Sequence, residues 1–155
     1  DKKELEILVL RKFRIIYGAV KSHFKQIEKE CGISSSQLWI LKIIKNNPGI
    51  CLNDVAQKVS IHQTTASILV EKLAKKKLIE KTRSTEDQRK IVLFSNAKGD
   101  GLVNKAPASV EGLLPNALTN LSSSTLNRLS EDLETIITEF DDEYQKLADV
   151  PLADL

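Results

Sequence analysis

The side chains best suited to chemistry in this chain are hydrogen-bonding groups gathered at one helix start. Gln63, Thr64, Thr65 and Ser67 crowd the opening turns of a helical segment that runs to about Lys76, with His62 just before it. Lys72, Lys75 and Lys76 follow on the exposed side of the same segment. A Gln amide can make a paired contact with adenine, and hydroxyls can reach phosphate or a thymine methyl. Ammonium groups neutralise phosphates without reading sequence. His62 has two uses open to it, capping the helix or approaching phosphate. A second cluster, Asp87-Gln88-Arg89, sits at a polar tip between two β-rich runs. An Arg at a hairpin tip can enter a narrow minor groove, where negative potential is concentrated. An Asp two residues earlier can hold that guanidinium by a charge-assisted hydrogen bond.

The elements that must position these groups are legible from periodicity. Asn53-Asp54-Val55-Ala56-Gln57-Lys58-Val59 reads as a compact helix, and Gln63 to Lys76 as a second one after a short turn. In the second, Ala66, Leu69, Val70 and Leu73 fall at i, i+3, i+4 and i+7, the spacing of a buried face. That leaves Gln63, Thr64 and Ser67 on another face near the helix start. Glu71 reads as a surface acid or a partner for Lys75 at i+4. Leu78 to Arg83 and Lys90 to Phe94 form a hairpin around Ser84 to Arg89, and Ile50-Cys51-Leu52 is a candidate third strand. Helix, turn, helix and a two-stranded wing is an arrangement that lays one helix in the major groove of double-stranded DNA.

Charge agrees with that reading without requiring it. The net charge is +2, but it is unevenly spread. From Leu52 to Ser95 nine Lys and Arg oppose five Asp and Glu, a net +4; from Ser122 to Leu155 two bases oppose nine acids, a net −7. A basic middle with an acidic tail suits a protein that meets a polyanion with one face. Solvated helix faces would give the same numbers.

Hydrophobic content of 41% and charged content of 28% are those of a globular domain large enough for a core. No apolar run approaches the roughly 20 residues that span a bilayer, so no membrane partner is expected. No signal-peptide pattern opens the chain, and with Asp1 in place of an initiator Met the first residues are expected to be trimmed or missing. Two cysteines, Cys31 and Cys51, make no disulfide framework, which favours a reducing, cytoplasmic setting. Nothing suggests an enzyme: there is no Gly-rich phosphate loop, nucleophile elbow or His-Glu metal pair. Neither cofactor nor metal is expected, since the two His and two Cys lack ligand-like spacing.

Around this centre lie long helices. Residues 4–30 carry Leu5, Leu8, Val9, Phe13, Ile16, Tyr17, Val20, Phe24 and Ile27 at helical steps, with Gly32 at the C-cap position. Ser34 opens another helix through about Lys45, which buries Leu38, Leu41 and Ile44 beside Trp39; Asn46-Asn47-Pro48-Gly49 ends it. A fifth helix starts at Asn96 and is kinked or broken near Pro107 and Pro115. A sixth is expected from about Ser124 to Leu147, its seam made by Leu126, Leu129, Leu133, Ile136, Phe140, Tyr144 and Leu147. The expected architecture is mainly α with a small β-wing. Residues 1–155 form a single chain, with a winged-helix region at 34–96 flanked by helical dimerisation regions at 1–31 and 97–155. The apolar stripes at both ends suggest a homodimer with two reading heads; an intramolecular bundle is the alternative.

With these elements in place, the chain resembles the MarR (multiple-antibiotic-resistance regulator) family. The resemblance covers residues 34–100 well and the rest loosely. It rests on Asn53-Asp54-Val55-Ala56, Leu69-Val70-Glu71-Lys72-Leu73, Leu78-Ile79-Glu80-Lys81, the Asp87-Gln88-Arg89 wing and Lys98-Gly99. It implies a winged-helix homodimer on a pseudo-palindromic operator, usually a repressor, often released by a small phenolic effector held between the dimer helices and the reading head. The lining would then include His23, Phe24 and Trp39 with the broken fifth helix; without a ligand these residues are plain core. Three departures stand out: Lys77 where the family usually has Gly, Ile68 where a basic residue is common, and Cys51 where Ser or Thr usually caps the next helix. Two other readings stay open. One is a thiol-oxidation sensor using Cys51 or Cys31, although family members of that kind carry their reactive Cys near the start of the first helix. The other is a winged-helix adaptor that binds protein rather than DNA.

Overall fold

Asp1 opens the first helix, α1 (Lys2–Cys31), by a reciprocal cap: its carboxylate accepts from the Glu4 backbone N–H at 2.9 Å, and the Glu4 side chain reaches back to the Asp1 nitrogen. Gly32 ends it in the left-handed conformation at φ 73°, its N–H donating to the Glu28 carbonyl at 2.9 Å. A computed structural model describes residues 1–107 and 110–155 of the chain. In it the expected helix 4–30 is present, but its apolar stripe is not core: only Ile27 and Cys31 are buried, while Leu5, Leu8, Phe13, Ile16 and Tyr17 are exposed.

α2 (Ser35–Asn46) is capped by Ser34 Oγ, which accepts from the Gln37 N–H at 3.2 Å. It supplies the centre of the core, burying Ile40 with the expected Leu38, Leu41 and Ile44. β1 (Ile50–Cys51) leads directly into α3 (Leu52–Val59), so Leu52 opens the helix instead of extending the strand. α4 (Gln63–Lys75) follows. β2 (Ile79–Arg83) and β3 (Ile91–Ser95) form the hairpin, and β1 pairs antiparallel with β3 to give a sheet in the order β1-β3-β2. Leu93 sits centrally, opposite both Ile50 and Lys81, and is fully buried. Leu38, Leu41, Ile44, Val55, Leu69, Val70, Leu73, Leu78, Ile79 and Leu93 form one continuous core under the helix-turn-helix and sheet.

α4 ends in a Schellman turn. Leu78 N–H donates to Leu73 O at 3.1 Å and Lys77 N–H to Ala74 O at 3.0 Å, with Lys77 at φ 58°. The lysine is thus held in a left-handed conformation that glycine adopts without cost. α5 (Ala97–Lys105) then packs so closely that a Cβ on Gly99 would collide with the Leu78 carbonyl oxygen and press on Leu41 Cδ1 at 3.1 Å. That is why a glycine follows Lys98.

The helix after the hairpin is broken. α5 stops two residues before Pro107, residues 108 and 109 lie outside the described part, and α6 (Leu113–Thr119) carries Pro115 in its first turn, where no N–H is needed. α7 (Ser123–Ile137) corrects the expectation of one helix to Leu147. Glu139 and Phe140 bond three residues back, to Ile136 and Ile137, and Thr138 Oγ1 donates to Thr135 O at 2.7 Å, so the last turn tightens and stops. The acids Asp141, Asp142 and Glu143 come next, and negative charge is disfavoured at a helix C-terminus. A 3-10 segment (Asp142–Asp149) and a final turn (Leu152–Asp154) complete the chain. The seam residues Leu126, Leu129, Leu133 and Ile136 therefore share α7, whereas Phe140, Tyr144 and Leu147 lie beyond it. Among the described residues no helix is long and apolar enough to cross a membrane.

Candidate nucleic-acid interface

α4 buries Ala66, Leu69, Val70 and Leu73, as its spacing predicts, and so turns a polar face outward. His62 is the N-cap: its Nδ1 accepts from the Thr64 N–H at 3.2 Å, leaving the rest of the first turn free of capping work. Gln63, Thr64, Ser67, Lys72 and Lys75 are exposed, while Thr65 is half-buried and presents less of its hydroxyl. Glu71 pairs with Lys81 of β2 rather than with Lys75. The sheet brings an ammonium from another element closer than the helix neighbour. Lys81, by hydrogen bond and charge, holds the Glu71 carboxyl below its ordinary range, with Lys75 adding a smaller pull. The acid on the outward face is thereby neutralised locally.

The wing tip is ordered by its own hydrogen bonds. Ser84 Oγ accepts from the backbone N–H groups of Glu86 and Asp87 at 3.2 and 3.3 Å, and Arg83 Nη1 donates to Gln88 O at 2.9 Å. Asp87 Oδ1 accepts both the Arg89 backbone N–H, at 3.0 Å, and its Nε, at 3.1 Å. These bonds hold the Asp87 carboxyl below the usual aspartate range, the side-chain bond first and the backbone bond second. Arg89 Nη2 also donates to Asp87 Oδ2 at 3.5 Å, and the arginine side chain is 91% exposed all the same.

These pieces converge. A groove of about 270 Å³ is lined by Cys51, Leu52, Asn53, Asp54, Gln63, Arg89, Lys90 and Ile91. It joins the start of α3, the start of α4 and the wing. Cys51, Asn53 and Lys90 were not among the sequence candidates for contact. The pairing of Cys51 with Val92 across β1 and β3 puts the first two beside the wing, and that pairing is a long-range event. Cys51 is also the α3 N-cap and makes no side-chain capping bond.

The candidate ligand residues are only partly assembled. Phe24 and Trp39 meet at a cavity of about 90 Å³ with Ser35, Ser36, Val110, Pro115 and Pro151. That is below the roughly 300 Å³ at which small-molecule sites begin. The C-terminal turn borders it, tied down where Ser36 Oγ donates to Asp154 Oδ1 at 3.1 Å. A larger concavity of about 450 Å³ runs along α1 past Phe13, Tyr17 and Phe24 to Leu114 and Leu152. His23 lines neither; its ring lies 6.2 Å from that of Phe24. Burial pushes the Cys31 thiol up, partly offset by Lys105, which counts against Cys31 as a ready thiolate. Among the described residues no group of three His, Cys, Asp or Glu is placed to hold a metal ion.

Comparison with known proteins agrees with this geometry. The homoprotocatechuate degradative operon repressor of Escherichia coli is 22% identical over 119 residues, which cover 77% of this chain and 80% of that protein. A MepR-like protein solved with pseudoligands superposes with a TM-score of 0.58 at 19% identity, covering 90% of this chain and 97% of its own. MepR of S. aureus, solved with DNA, gives a TM-score of 0.58 at 21% identity, covering 84% and 96%. The two solved structures share this fold. The family model "Transcriptional regulator SarA/Rot" matches residues 22–106, from the second half of α1 through α5. That span is more than half of the chain and contains the whole helix-turn-helix and wing, so the chain belongs to the SarA/Rot family of transcriptional regulators.

Proposed function

We propose that the chain works as a homodimer that binds a pseudo-palindromic operator in double-stranded DNA and represses transcription until a small ligand releases it. Gln63, Thr64 and Ser67 enter the major groove, with Thr65 at its edge and His62 shaping the helix start. Arg89, oriented by Asp87, enters the flanking minor groove, and Lys72 and Lys75 neutralise phosphates. The observation that carries this reading is the groove in which Gln63 and Arg89 face one cleft beside Lys90. The S. aureus relative is solved with DNA, and the E. coli relative is named as an operon repressor, which supports the same reading.

Apolar surface that no described residue covers supports dimerisation. α1 exposes Leu5, Leu8, Val9 and Phe13, and α7 exposes Leu126, Leu129 and Leu133. Joined through these helices, two reading heads would meet DNA one turn apart, about 34–36 Å. A MepR-like protein solved with pseudoligands supports a small effector, and the concavity along α1 that includes Phe24 has the size for one. The unpaired thiols of Cys31 and Cys51 suit a cytoplasmic setting.

The test is fluorescence anisotropy on labelled A·T-rich palindromic duplexes at several salt concentrations, with Arg89→Ala in parallel. The reading expects salt-sensitive binding, with a log–log slope of about −0.9 per phosphate neutralised. Binding that is absent, or indifferent to salt and to Arg89→Ala, from a folded dimer would overturn it in favour of a protein-binding adaptor.

A further inference from the structure

Ile68 is the one large apolar side chain that α4 leaves exposed among the described residues, at 54% of its surface, in the middle of an otherwise polar outward face. Thr64 lies one turn before it, Ser67 beside it, and Lys72 one turn after it; all three are exposed. The residues α4 buries, Ala66, Leu69, Val70 and Leu73, form the core face of the helix, and Ile68 is not among them. Glu71, three residues on, is paired with Lys81, so the acid next along this stretch of α4 has its charge matched. A β-branched side chain has little rotamer freedom in a helix and loses little on being clamped.

We infer that Ile68 is a specificity-determining residue that packs on the 5-methyl group of a thymine in the operator. This rests on the reading of α4 as the helix that enters the major groove. The chemistry is selective because the thymine methyl is the largest apolar feature that base edges present in that groove; cytosine has only a C5–H at the same place, and the rest are mainly hydrogen-bond donors and acceptors. Set against the polar edge of a G·C pair, the Ile68 methyls would desolvate donors and acceptors without pairing them. Ile68 therefore favours thymine by attraction and disfavours cytosine or guanine by the lack of a partner. The neighbouring hydroxyls of Thr64 and Ser67 remain available for phosphate or a base edge.

The experiment removes the methyl and nothing else. An operator is first enriched from a random duplex pool with the unmodified protein, and each thymine is then replaced singly, and in symmetric pairs, by deoxyuridine. Binding is measured for the unmodified protein, Ile68→Ala and Ile68→Val. The expected result is one symmetric thymine pair whose methyl loss weakens the unmodified protein about fourfold per half-site. Ile68→Ala should bind the intact operator more weakly and be indifferent to that methyl, whereas Ile68→Val should keep part of the discrimination. Because Ile68 is exposed, both variants should melt with the unmodified protein, which separates lost contact from lost fold. Tight operator binding with every deoxyuridine tolerated, or with the same penalty in Ile68→Ala, would overturn the inference and leave DNA binding intact. Failure to enrich any duplex would overturn the DNA-binding reading and this inference with it.

Discussion

Arg89 is held by Asp87 through three hydrogen bonds: the arginine backbone N–H donates at 3.0 Å and its Nε at 3.1 Å to Oδ1, and its Nη2 donates at 3.5 Å to Oδ2. The same acid thus sets the backbone turn and aims the guanidinium. Arg89→Ala should cost about tenfold or more in operator affinity, since a charge-assisted contact is lost in each half of a dimer. It should also reduce the salt slope by about 1.8 for a dimer. Asp87→Asn keeps the arginine charge and loses its aim, so a smaller loss with an unchanged salt slope is expected. The pH dependence has a definite sign. A carboxyl held below its ordinary range contributes order that is full above the usual aspartate value of about 3.9 and is lost as pH falls through the lower folded value. The Arg89 Nε–H resonance should accordingly be steady from neutral pH to about pH 5 and move only below about pH 4.

The wing and α4 were legible because their signals are local. The 3-4 spacing of Ala66, Leu69, Val70 and Leu73 and the turn chemistry of Ser84 to Arg89 need no knowledge of the rest of the chain. What sequence reading missed is long-range. Glu71 takes Lys81 because β2 passes beside α4, and Cys51 joins the groove because β1 pairs with β3. The closing of the Phe24–Trp39 cavity depends on Ser36 meeting Asp154, 118 residues away. The apolar steps beyond Ile137 kept the expected period after the backbone had left the helix, since periodicity alone carries no stop signal.

Lys77 holds φ 58° where the Schellman turn needs a left-handed residue. A residue with a Cβ is less stable there than glycine by roughly 1–2 kcal/mol, part of which the greater freedom of glycine in the unfolded chain takes back. Lys77→Gly should therefore raise stability by about 1 kcal/mol, or a melting temperature gain of about 2–4 °C. Lys77→Ala should give none of this gain. The Lys77 carbonyl accepts from Asn96 Nδ2 at 2.8 Å through backbone alone, so that link to α5 should survive both changes. Thermal melts of the three proteins decide the point.

Cys51 occupies an N-cap with suitable extended backbone, φ −86° and ψ 161°, but makes no capping bond. A hydroxyl there can accept from the backbone N–H two or three residues on. Cys51→Ser should therefore stabilise the protein by about 1 kcal/mol in urea unfolding. The two thiols should also separate by reactivity. Cys31 is buried and its thiol is shifted up, so its thiolate fraction at neutral pH is small, whereas Cys51 is half-exposed. Mass spectrometry after brief alkylation at neutral pH should find the adduct on Cys51 first, with Cys31 reacting as pH or denaturant rises.

α7 carries Leu126, Leu129 and Leu133 on one face and buries none of them, while the core of the chain lies around α2, α3, α4 and the sheet. A helix whose apolar face is uncovered gains most of its stability from a partner. Placing charge on that face should thus separate two chains without unfolding either reading head. Leu129→Glu with Leu133→Glu should shift sedimentation from dimer to monomer and leave most of the helical circular dichroism in place. Operator affinity should fall by about two to four orders of magnitude, because each head then binds without the raised local concentration its partner supplies. A doubly substituted protein that still sediments as a dimer would move the interface to the exposed residues of α1, Leu5 to Phe13, where the same substitutions can be made in turn.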